Sequence, residues 1–444
     1  MHVVERFSEW AVAYRREDLS PQVLHHAKRA LIDWHAALFP GAVVPPATLL
    51  EKALAEELDR GSARLALGRA ATPRAAALIN GTAAHTAEFD DIFRDGIYHP
   101  GAPTIAAVLA LAQSLSAGGR DFLRALVVGY EISTRIGAAM GRPHYEYWHN
   151  TGTIGCFGAA AACAELLGLD KGRFAHALAT VATFSAGLQQ AFRMDSMSKP
   201  LHAGRAAEAG LTAALAAREG VTGSLDVMQG ETGYGRAMGH FKGPEPDWAR
   251  GIATLGKDFH ITRMTFKNHG CCGHTFAAID GALELKRRMA IQAADIEKVE
   301  VATYRAGLEV AHYDAPRTPA EGRFSLKYVV AAALQQGSVR LDAFSTRKLE
   351  DPKTKEIMAK ISVALDPELD AAFPGKRAAR VAITARGRRE EFLQPTRKGD
   401  PDMPLTDAEV DAKFLELAAP VLGEAPAKTL LQRLWRLETQ PSVG

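Results

Sequence analysis

The feature that most limits the fold is the helical repeat of apolar residues over the first 250 positions of this 444-residue chain. Ser20 and Pro21 are typical of a helix start, and apolar side chains then recur every three or four residues as far as Gly41. Alternation of polar and apolar residues, which indicates strands, is almost absent there. We therefore predict a large all-helical domain over residues 1–255, with helices over 72–88, 104–116, 121–140, 153–167 and 204–218.

The pattern changes beyond Glu245 and Pro246. Two segments alternate with a period of two residues, KVEVATY at 298–304 and ARVAITA at 379–385, and each is typical of a half-buried strand. A further helix is predicted over 275–289. These elements predict a smaller α+β domain over residues 256–395. Helical spacing returns over 407–417 and 427–437, so we expect residues 396–444 to pack back on the main domain, which makes the chain mainly α.

Charge and composition exclude several classes of partner. The chain has 53 basic and 51 acidic side chains, whereas nucleic-acid binders carry concentrated basic surfaces. The longest uncharged stretches, residues 100–119 and 151–164, are rich in alanine and glycine and suit buried helices better than a membrane span. The N-terminus shows no secretory signal pattern. We therefore expect a cytoplasmic protein with four free cysteines that binds neither nucleic acid nor membrane.

Five short segments concentrate polar residues between apolar helices. Small residues beside each His or Lys allow a ligand or another chain segment to approach the backbone closely. A pocket assembled from several helix ends has this pattern in its sequence. The segments cover residues 85–101, 149–155, 196–204, 267–280 and 323–328.

In order and approximate spacing, these segments resemble the signature of the MmgE/PrpD family, which includes 2-methylcitrate dehydratase, cis-aconitate decarboxylase and iminodisuccinate epimerase. The resemblance covers nearly the whole chain. It implies a helical main domain, a smaller α+β lid, a homodimer and a pocket between the domains. The matching residues are Asn80, Gly81, His85, Phe89 to Asp91, His99 to Gly101, Gly129 to Glu131, Thr151 to Thr153, Lys199, His202 to Gly204, Phe324, Ser325 and Tyr328.

The first candidate catalytic group consists of Asp90, Asp91 and His99. A carboxylate near a histidine can hold one proton and move it to or from a carbon atom or a leaving hydroxyl group. The other interpretation of the aspartate pair is structural, with helix caps and ion pairs. The family pattern favours the catalytic interpretation.

Two further segments supply a base and a cation. His149 can donate or take a proton, and the helix start that follows it, with Thr151 and Thr153, can bind a carboxylate through backbone N–H groups. A buried histidine at a helix entrance is the alternative. Lys199 suits pairing with a carboxylate or stabilising an enolate, unless it is a plain surface lysine. His202 is expected to support the site from the start of the next helix.

The segment KNHGCCGH allows two interpretations. Cys271, His274 and His269 have the chemistry of metal ligands, but four cysteines and no second ligand pair argue against zinc, so we expect neither metal nor cofactor. Glycines on both sides suit a substrate loop equally well. We therefore take His274 as a catalytic candidate and Lys267 and His269 as substrate-binding candidates, with either histidine as the one in the pocket. Cys272 is expected to pack rather than react.

Departures from the family pattern bear on the reaction. Dehydratase and decarboxylase members commonly read Asp-Phe-Asp-Asp-Thr, whereas this chain has Glu88 at the first position and Ile92 at the last. The usual histidine before Ala-Ala-Ile-Asp is Phe276, and His274 lies two residues earlier, a turn of about 200° on a helix. Glu88, Phe276 and Tyr328 complete the substrate-binding candidates. The missing acid weakens the case for a strict 2-methylcitrate dehydratase or cis-aconitate decarboxylase.

Together these residues predict an enzyme that moves a proton α to a carboxylate of a small di- or tricarboxylate, and the resemblance implies that it is a homodimer. The leading prediction is a lyase, a hydro-lyase of the 2-methylcitrate dehydratase type. An epimerase or isomerase of a small dicarboxylate and a cis-aconitate-type decarboxylase are the alternatives. A helical scaffold without activity is the non-enzyme alternative, and it predicts no organised cluster of His, Lys and Asp side chains. Substrate, stereochemistry and final reaction step stay open at this point.

Overall fold

The computed structural model describes residues 1–192, 196–239, 245–373 and 375–444, and its chain forms two compact units. The first comprises Met1–Thr265 with Thr406–Gly444, and the second comprises Phe266–Leu405. The units therefore change at 265/266 and 405/406, against the predicted 255/256 and 395/396. Within the described ranges, every helix falls short of the length or apolar character that crossing a bilayer requires.

The first unit is mainly helical, which confirms the predicted fold class. Two of its long helices begin at capping residues visible in the sequence: Ser20 accepts the N–H of Val23, Thr72 accepts that of Ala75, and a proline follows each at the first helical position. The α-helices are Val3–Tyr14, Pro21–Ala42, Ala47–Ala53, Pro73–Thr86, Gly101–Leu115, Gly119–Tyr145, Asn150–Thr153, Gly155–Leu166, Lys171–Ala182, Ser198–Arg218, Tyr234–Met238, Trp248–Ala253, Asp407–Leu422 and Glu424–Trp435, with 3-10 turns at Ala55–Glu57, Gln189–Phe192, His260–Arg263 and Leu437–Thr439.

Small residues allow the central helices to pack very closely. A Cβ atom on Gly204 of helix Ser198–Arg218 would lie 2.2 Å from the carbonyl oxygen of Leu78 and from Oγ1 of Thr82. On the same helix, a Cβ on Gly210 would lie 2.4 Å from the side chain of Ala159. Contacts this short leave no room for a methyl group. The alanine and glycine content of these segments therefore reflects helix packing as well as the pocket.

A two-stranded sheet corrects the prediction of an all-helical main domain. Strand β1, Leu58–Arg64, pairs antiparallel with β2, Ala70–Ala71, and a bulge interrupts the register. Of the seven residues of β1, Leu58 and Ala63 are buried and the other five are exposed. A strand that buries so few residues shows no alternation of polar and apolar residues in its sequence, so the pattern could not predict it.

The second unit is the predicted α+β unit, built on a four-stranded sheet in the order β4-β3-β5-β6. Strands β3, Ile296–Thr303, and β5, Ala379–Ala385, match the two predicted strands, and β4, Ile361–Leu365, and β6, Arg388–Gln394, flank them. β3 pairs parallel with β4 and antiparallel with β5. The helices are Phe276–Met289, Arg305–Val310, Pro319–Arg323, Leu326–Gln336, Thr346–Leu349, Pro352–Ala359 and Pro367–Ala372, with 3-10 turns at Ala293–Asp295 and Leu341–Phe344.

Helix Phe276–Met289 packs on this sheet and places the preceding loop. Buried Ala278, Ala282 and Leu285 of the helix join Val299 and Val381 of the central strands in one apolar core. The helix therefore begins at a fixed point beside the sheet, and the loop of residues 270–275 ends there.

Candidate active site

The site in the first unit starts at the C-terminal end of helix Pro73–Thr86. His85 lies on the last turn, and three residues later Glu88 adopts a left-handed backbone with φ of 61°. That conformation costs a residue other than glycine about 1–2 kcal/mol. It turns the chain so that Asp90 returns beneath the helix, where its Oδ2 lies 2.7 Å from Nδ1 of His85.

Asp90 joins two imidazole rings. Its Oδ2 also lies 3.2 Å from Nδ1 of His99, and the Asp90 side chain is fully buried. Burial alone would raise the pKa of Asp90, but the neighbouring His85 and His99 outweigh it and hold the pKa well below its usual range. An ionised carboxylate only accepts hydrogen bonds, so Nδ1 of His85 donates to it. Asp90 thus places a negative charge beside two imidazole rings, an arrangement suited to general acid–base chemistry.

Two more histidines extend this group. Nδ1 of His149 lies 2.9 Å from Nδ1 of His202, and the ring of His149 stacks on that of His85 with centroids 5.4 Å apart. Burial lowers the pKa of His149 well below its usual value, and the charges nearby lower it further. Burial also lowers the pKa of His202 to about 4. The pair is therefore neutral at pH 7 and shares one N–H between the two nitrogens.

We call His85, Asp90, His99, His149 and His202 the histidine cluster. Its members come from the end of one helix, the loop that follows it, the start of a short helix and the first turns of helix Ser198–Arg218. Four of them are site residues predicted from the sequence. His85 was predicted only as a residue of the family motif. Its position five residues before Asp90, at the end of a predicted helix, could have indicated that the two side chains meet.

Lys199 and Glu88 form an ion pair beside the histidine cluster. Lys199 precedes His202 by three residues, so both side chains lie on one face of helix Ser198–Arg218. Burial would lower the pKa of Lys199, but Glu88 outweighs it and raises the pKa above its usual value. The charge of Lys199 in turn contributes to the lowered pKa of His149. The site thus offers a permanent cation close to a neutral base.

Asp91 has a different place from Asp90. Its Oδ1 accepts the N–H of Gly101 at 3.0 Å, and its Oδ2 accepts the hydroxyl of Tyr130 at 2.8 Å. Burial raises the pKa of Asp91 well above its usual value, and the charge of Asp33 adds to this effect. A Cβ on Gly101 would lie 2.7 Å from Oδ1 of Asp91 and 2.7 Å from the hydroxyl oxygen of Tyr130, so this position needs glycine. These contacts tie Asp91 to the start of the helix that begins at Gly101.

The two threonines also differ in their contacts. Oγ1 of Thr151 accepts the backbone N–H of His99 at 3.3 Å and so supports the histidine cluster. Oγ1 of Thr153 lies 2.7 Å from Nε2 of His144, whose Nδ1 in turn contacts the carbonyl of Met238. Thr153 is thus engaged with a histidine outside the cluster. Both threonines are fully buried.

The remaining candidates belong to the second unit. Nε2 of His269 lies 2.8 Å from Oδ1 of Asp280, and the edge of His269 meets the ring of Phe276, with centroids 5.1 Å apart. Nδ1 of His274 lies 2.9 Å from the hydroxyl of Tyr304, a residue that sequence analysis missed. The Tyr328 hydroxyl donates to the carbonyl of Ala343, and Lys267 is buried. Their use of one ligand together with the histidine cluster stays a prediction.

Metal-binding chemistry is concentrated in the first unit. Ligand atoms of His85, Asp90 and His99 lie within 4.8 Å of one another, so these three side chains could hold an ion. The segment with adjacent cysteines differs, because Sγ of Cys271 lies 3.2 Å from Oγ1 of Thr275 and burial raises the pKa of this thiol to about 12. Zinc needs the thiolate form, which the surroundings of Cys271 disfavour.

The fold and the site together define a mainly helical, two-unit protein with an organised acid–base centre. Residues 5–248 match the model of the MmgE/PrpD N-terminal domain, and residues 269–438 match that of the MmgE/PrpD C-terminal domain. The chain therefore belongs to the MmgE/PrpD family.

Three relatives illustrate the family's range. A cis-aconitate decarboxylase-like protein, oryM, of Aspergillus oryzae is 29% identical over 100% of this chain and 96% of its own length. The cis-aconitate decarboxylase of Homo sapiens is 24% identical over 98% of this chain and 92% of its own length. The 2-methylcitrate dehydratase of Escherichia coli is 30% identical, but over 28% of this chain and 26% of its own length. Such relatives are lyases, and this chain is an enzyme of the lyase type.

Proposed function

We propose that this enzyme is a decarboxylase of a small unsaturated tricarboxylate of the cis-aconitate type. The observation that carries the proposal is the histidine cluster, in which an ionised Asp90 lies against the two imidazoles of His85 and His99, beside a neutral histidine pair. Support also comes from the two decarboxylase-named relatives, which align over 98–100% of the chain. Hydro-lyase activity, the leading prediction from sequence, becomes the second candidate.

The chemistry needs one proton per turnover. Breaking the bond between carbon and a carboxylate releases CO2 and leaves the electron pair on the substrate, where conjugation with a second carboxylate stabilises it. A proton from the cluster then forms the new C–H bond, and solvent restores that proton. General acid catalysis of this kind typically contributes about two to four decades of rate.

The proposal gives each residue a role that fits its surroundings. His99 donates the proton, because its Nδ1 lies 3.2 Å from the ionised carboxylate of Asp90 and its side chain is partly exposed. His149 serves as the neutral partner that accepts a proton or orients the substrate, because burial and nearby charges keep it uncharged. Lys199 pairs with a substrate carboxylate, in exchange for part of its contact with Glu88.

The phenylalanine at position 276 departs from the pattern of both reactions, but the loss of an acid there weighs more against dehydration than against decarboxylation. Dehydration expels hydroxide, a poor leaving group that has to be protonated as it leaves, whereas CO2 leaves without a proton. Phe276 is buried and cannot protonate a leaving group. The second candidate still has specific support, because the matched stretch of 2-methylcitrate dehydratase shares 30% identity.

The test compares two substrates with one purified protein. We expect cis-aconitate to give CO2 and one decarboxylated product, measured by NMR, and 2-methylcitrate to give a much slower dehydration. His99→Gln, His149→Ala and Lys199→Met should each lower decarboxylation by about two decades or more. The control His176→Gln changes a half-buried histidine on helix Lys171–Ala182 and should leave the rate unchanged. Rapid dehydration of 2-methylcitrate without CO2 release from cis-aconitate would establish the hydro-lyase instead.

A further inference from the structure

In the second unit, the loop that precedes helix Phe276–Met289 has a glycine, Gly273, that lies against the side chain of Arg397. A Cβ atom built on Gly273 would lie 2.9 Å from Nη1 of Arg397. The guanidinium edge therefore occupies the space beside the glycine backbone. Cys272, Gly273 and His274 are partly exposed, whereas Arg397 behind them is 3% exposed.

Arg397 is held rigidly in this position. Its Nε and Nη2 donate to the two carboxylate oxygens of Asp400 at 3.0 and 2.8 Å, and both side chains are buried. A guanidinium whose one edge is fixed in this way presents its remaining N–H groups in a defined plane. Planar carboxylates accept hydrogen bonds from such an edge with favourable geometry. The Nη1 edge of Arg397 therefore lies against the backbone of Gly273, on a loop that is partly exposed.

The surroundings of the loop carry more positive charge. Lys267, Arg377 and Arg397 all lie close enough to Cys272 to lower the pKa of its thiol against the effect of burial, which raises it. Lys267 is itself buried. The loop also ends at the N-terminus of a 14-residue helix, whose positive end adds to the attraction for an anion.

A neutral hydrogen-bond donor completes the arrangement. The hydroxyl of Tyr304 lies 2.9 Å from Nδ1 of His274, and Tyr304 stacks on Phe373 with ring centroids 4.7 Å apart. Burial lowers the pKa of His274 to about 4, so its ring is neutral at pH 7. When Nδ1 accepts the hydroxyl proton of Tyr304, the neutral ring carries its own proton on Nε2. His274 then becomes a fixed N–H donor on the same loop.

We propose that Arg397, Gly273 and His274 form a subsite of the second unit that binds one carboxylate group of a small polycarboxylate. The proposal rests on the proposed function for the identity of the ligand, but it concerns binding and not the proton-transfer step. It assigns Arg397 a ligand-binding role and explains why the loop has glycine at position 273. It also gives His274 the role of a hydrogen-bond donor to the bound carboxylate.

Two substitutions probe the subsite in different ways. Gly273→Ala places a methyl group against Nη1 of Arg397 without any change of charge, and Arg397→Lys keeps the charge but loses the planar edge. The matched control is Arg380→Lys, another arginine of this unit that pairs with an aspartate, Asp366, at 3.1 Å. Thermal unfolding of each full-length variant verifies that it is folded.

The measurement is the calorimetric dissociation constant of tricarballylate, a saturated tricarboxylate, in the full-length protein. We expect Gly273→Ala and Arg397→Lys each to weaken binding about tenfold, the worth of one charged hydrogen bond, while Arg380→Lys matches the wild type. Wild-type-like binding by both folded variants, an equal loss in Arg380→Lys, or no wild-type binding at millimolar concentration would overturn the subsite. Inorganic phosphate that competes as well as tricarballylate would overturn its assignment to carboxylates.

These outcomes separate the subsite from the proposed reaction. Tricarballylate lacks the double bond of cis-aconitate, so its binding does not depend on turnover. Loss of binding in the two variants, in an enzyme that releases no CO2 from cis-aconitate, would support the subsite and refute the decarboxylase. Conversely, CO2 release with variant KM values equal to that of the wild type would refute the subsite alone.

Discussion

A buried ion pair that supports the active-site loop gives the most detailed prediction. Nζ of Lys413, on helix Asp407–Leu422, lies 2.5 Å from Oδ1 of Asp33, and neither side chain has any exposed area. The same ammonium donates to the carbonyl of Phe89 at 2.8 Å, directly before Asp90. We therefore expect Lys413→Met to disturb both the stability of the first unit and the position of Asp90.

The magnitude follows from the burial of the pair. Removal of one partner leaves a buried carboxylate without its counter-charge, which typically costs about 3–5 kcal/mol. For a unit of this size, that loss lowers the melting temperature by about 5 to 8 °C. Urea unfolding followed by circular dichroism measures the free energy of unfolding. At 25 °C the folded variant should also lose activity about tenfold, because a misplaced catalytic group is costly.

Two further variants make this reasoning refutable. The double variant Asp33→Asn with Lys413→Met removes the stranded charge and should recover at least half of the lost stability. Lys428→Met, which removes an exposed partner of Glu424, should cost less than about 0.5 kcal/mol. A loss below about 1 kcal/mol in Lys413→Met, or a double variant that is less stable than the single one, would show that the ion pair does not support the fold.

Three other predictions concern packing, pH and metal. Gly204→Ala should lower stability by about 1–3 kcal/mol in urea unfolding, because its methyl group meets backbone atoms, whereas Gly172→Ala, which meets only Asp170 at 3.4 Å, should be neutral or stabilising. Burial lowers the pKa of His35 and of His144 to about 4, so the unfolded chain binds more protons between pH 6.5 and 4. Stability should therefore fall as the pH falls through this window, by up to about 1.4 kcal/mol per pH unit for each histidine, and a flat pH profile would contradict the burial of neutral rings. Activity should survive a chelator and gain nothing from added Zn2+, and recovery of a lost rate by a metal would make the histidine cluster a metal centre.

Helical periodicity explains why so much of the fold could be predicted. The segments at 72–88 and 204–218 carry apolar residues at helical spacing, and the structure has helices Pro73–Thr86 and Ser198–Arg218 there, both buried over much of their length. The helix predicted over 121–140 runs from Gly119 to Tyr145, with non-helical geometry at Gly141. Strand β6 escaped prediction because its sequence, RREEFLQ, is mostly charged and one face meets solvent. Elements that bury little apolar surface leave a weak signal.

The residue types of the site could be predicted from the sequence, but the partner that each side chain contacts could not. The residue types at Asp90, His99 and His149 identified groups that the structure brings together. Asp91, adjacent to Asp90, instead contacts the Tyr130 hydroxyl and the backbone N–H of Gly101 at a helix start, partners that its place in the sequence does not indicate. The left-handed backbone at Glu88 is not marked by a glycine, so the sequence did not indicate a turn there. Tyr304 and Arg397 lie too far from their partners in sequence for residue spacing to predict the contacts.

Solvent deuterium incorporation tests the central claim most directly. Reaction of cis-aconitate in heavy water should place one deuterium on the new C–H bond for each CO2 released, because the histidine cluster exchanges its proton with solvent between turnovers. His99→Gln should lower CO2 release and deuterium incorporation together. A product that forms at the normal rate without deuterium, or a His99→Gln variant as active as the wild type, would contradict proton delivery by the cluster.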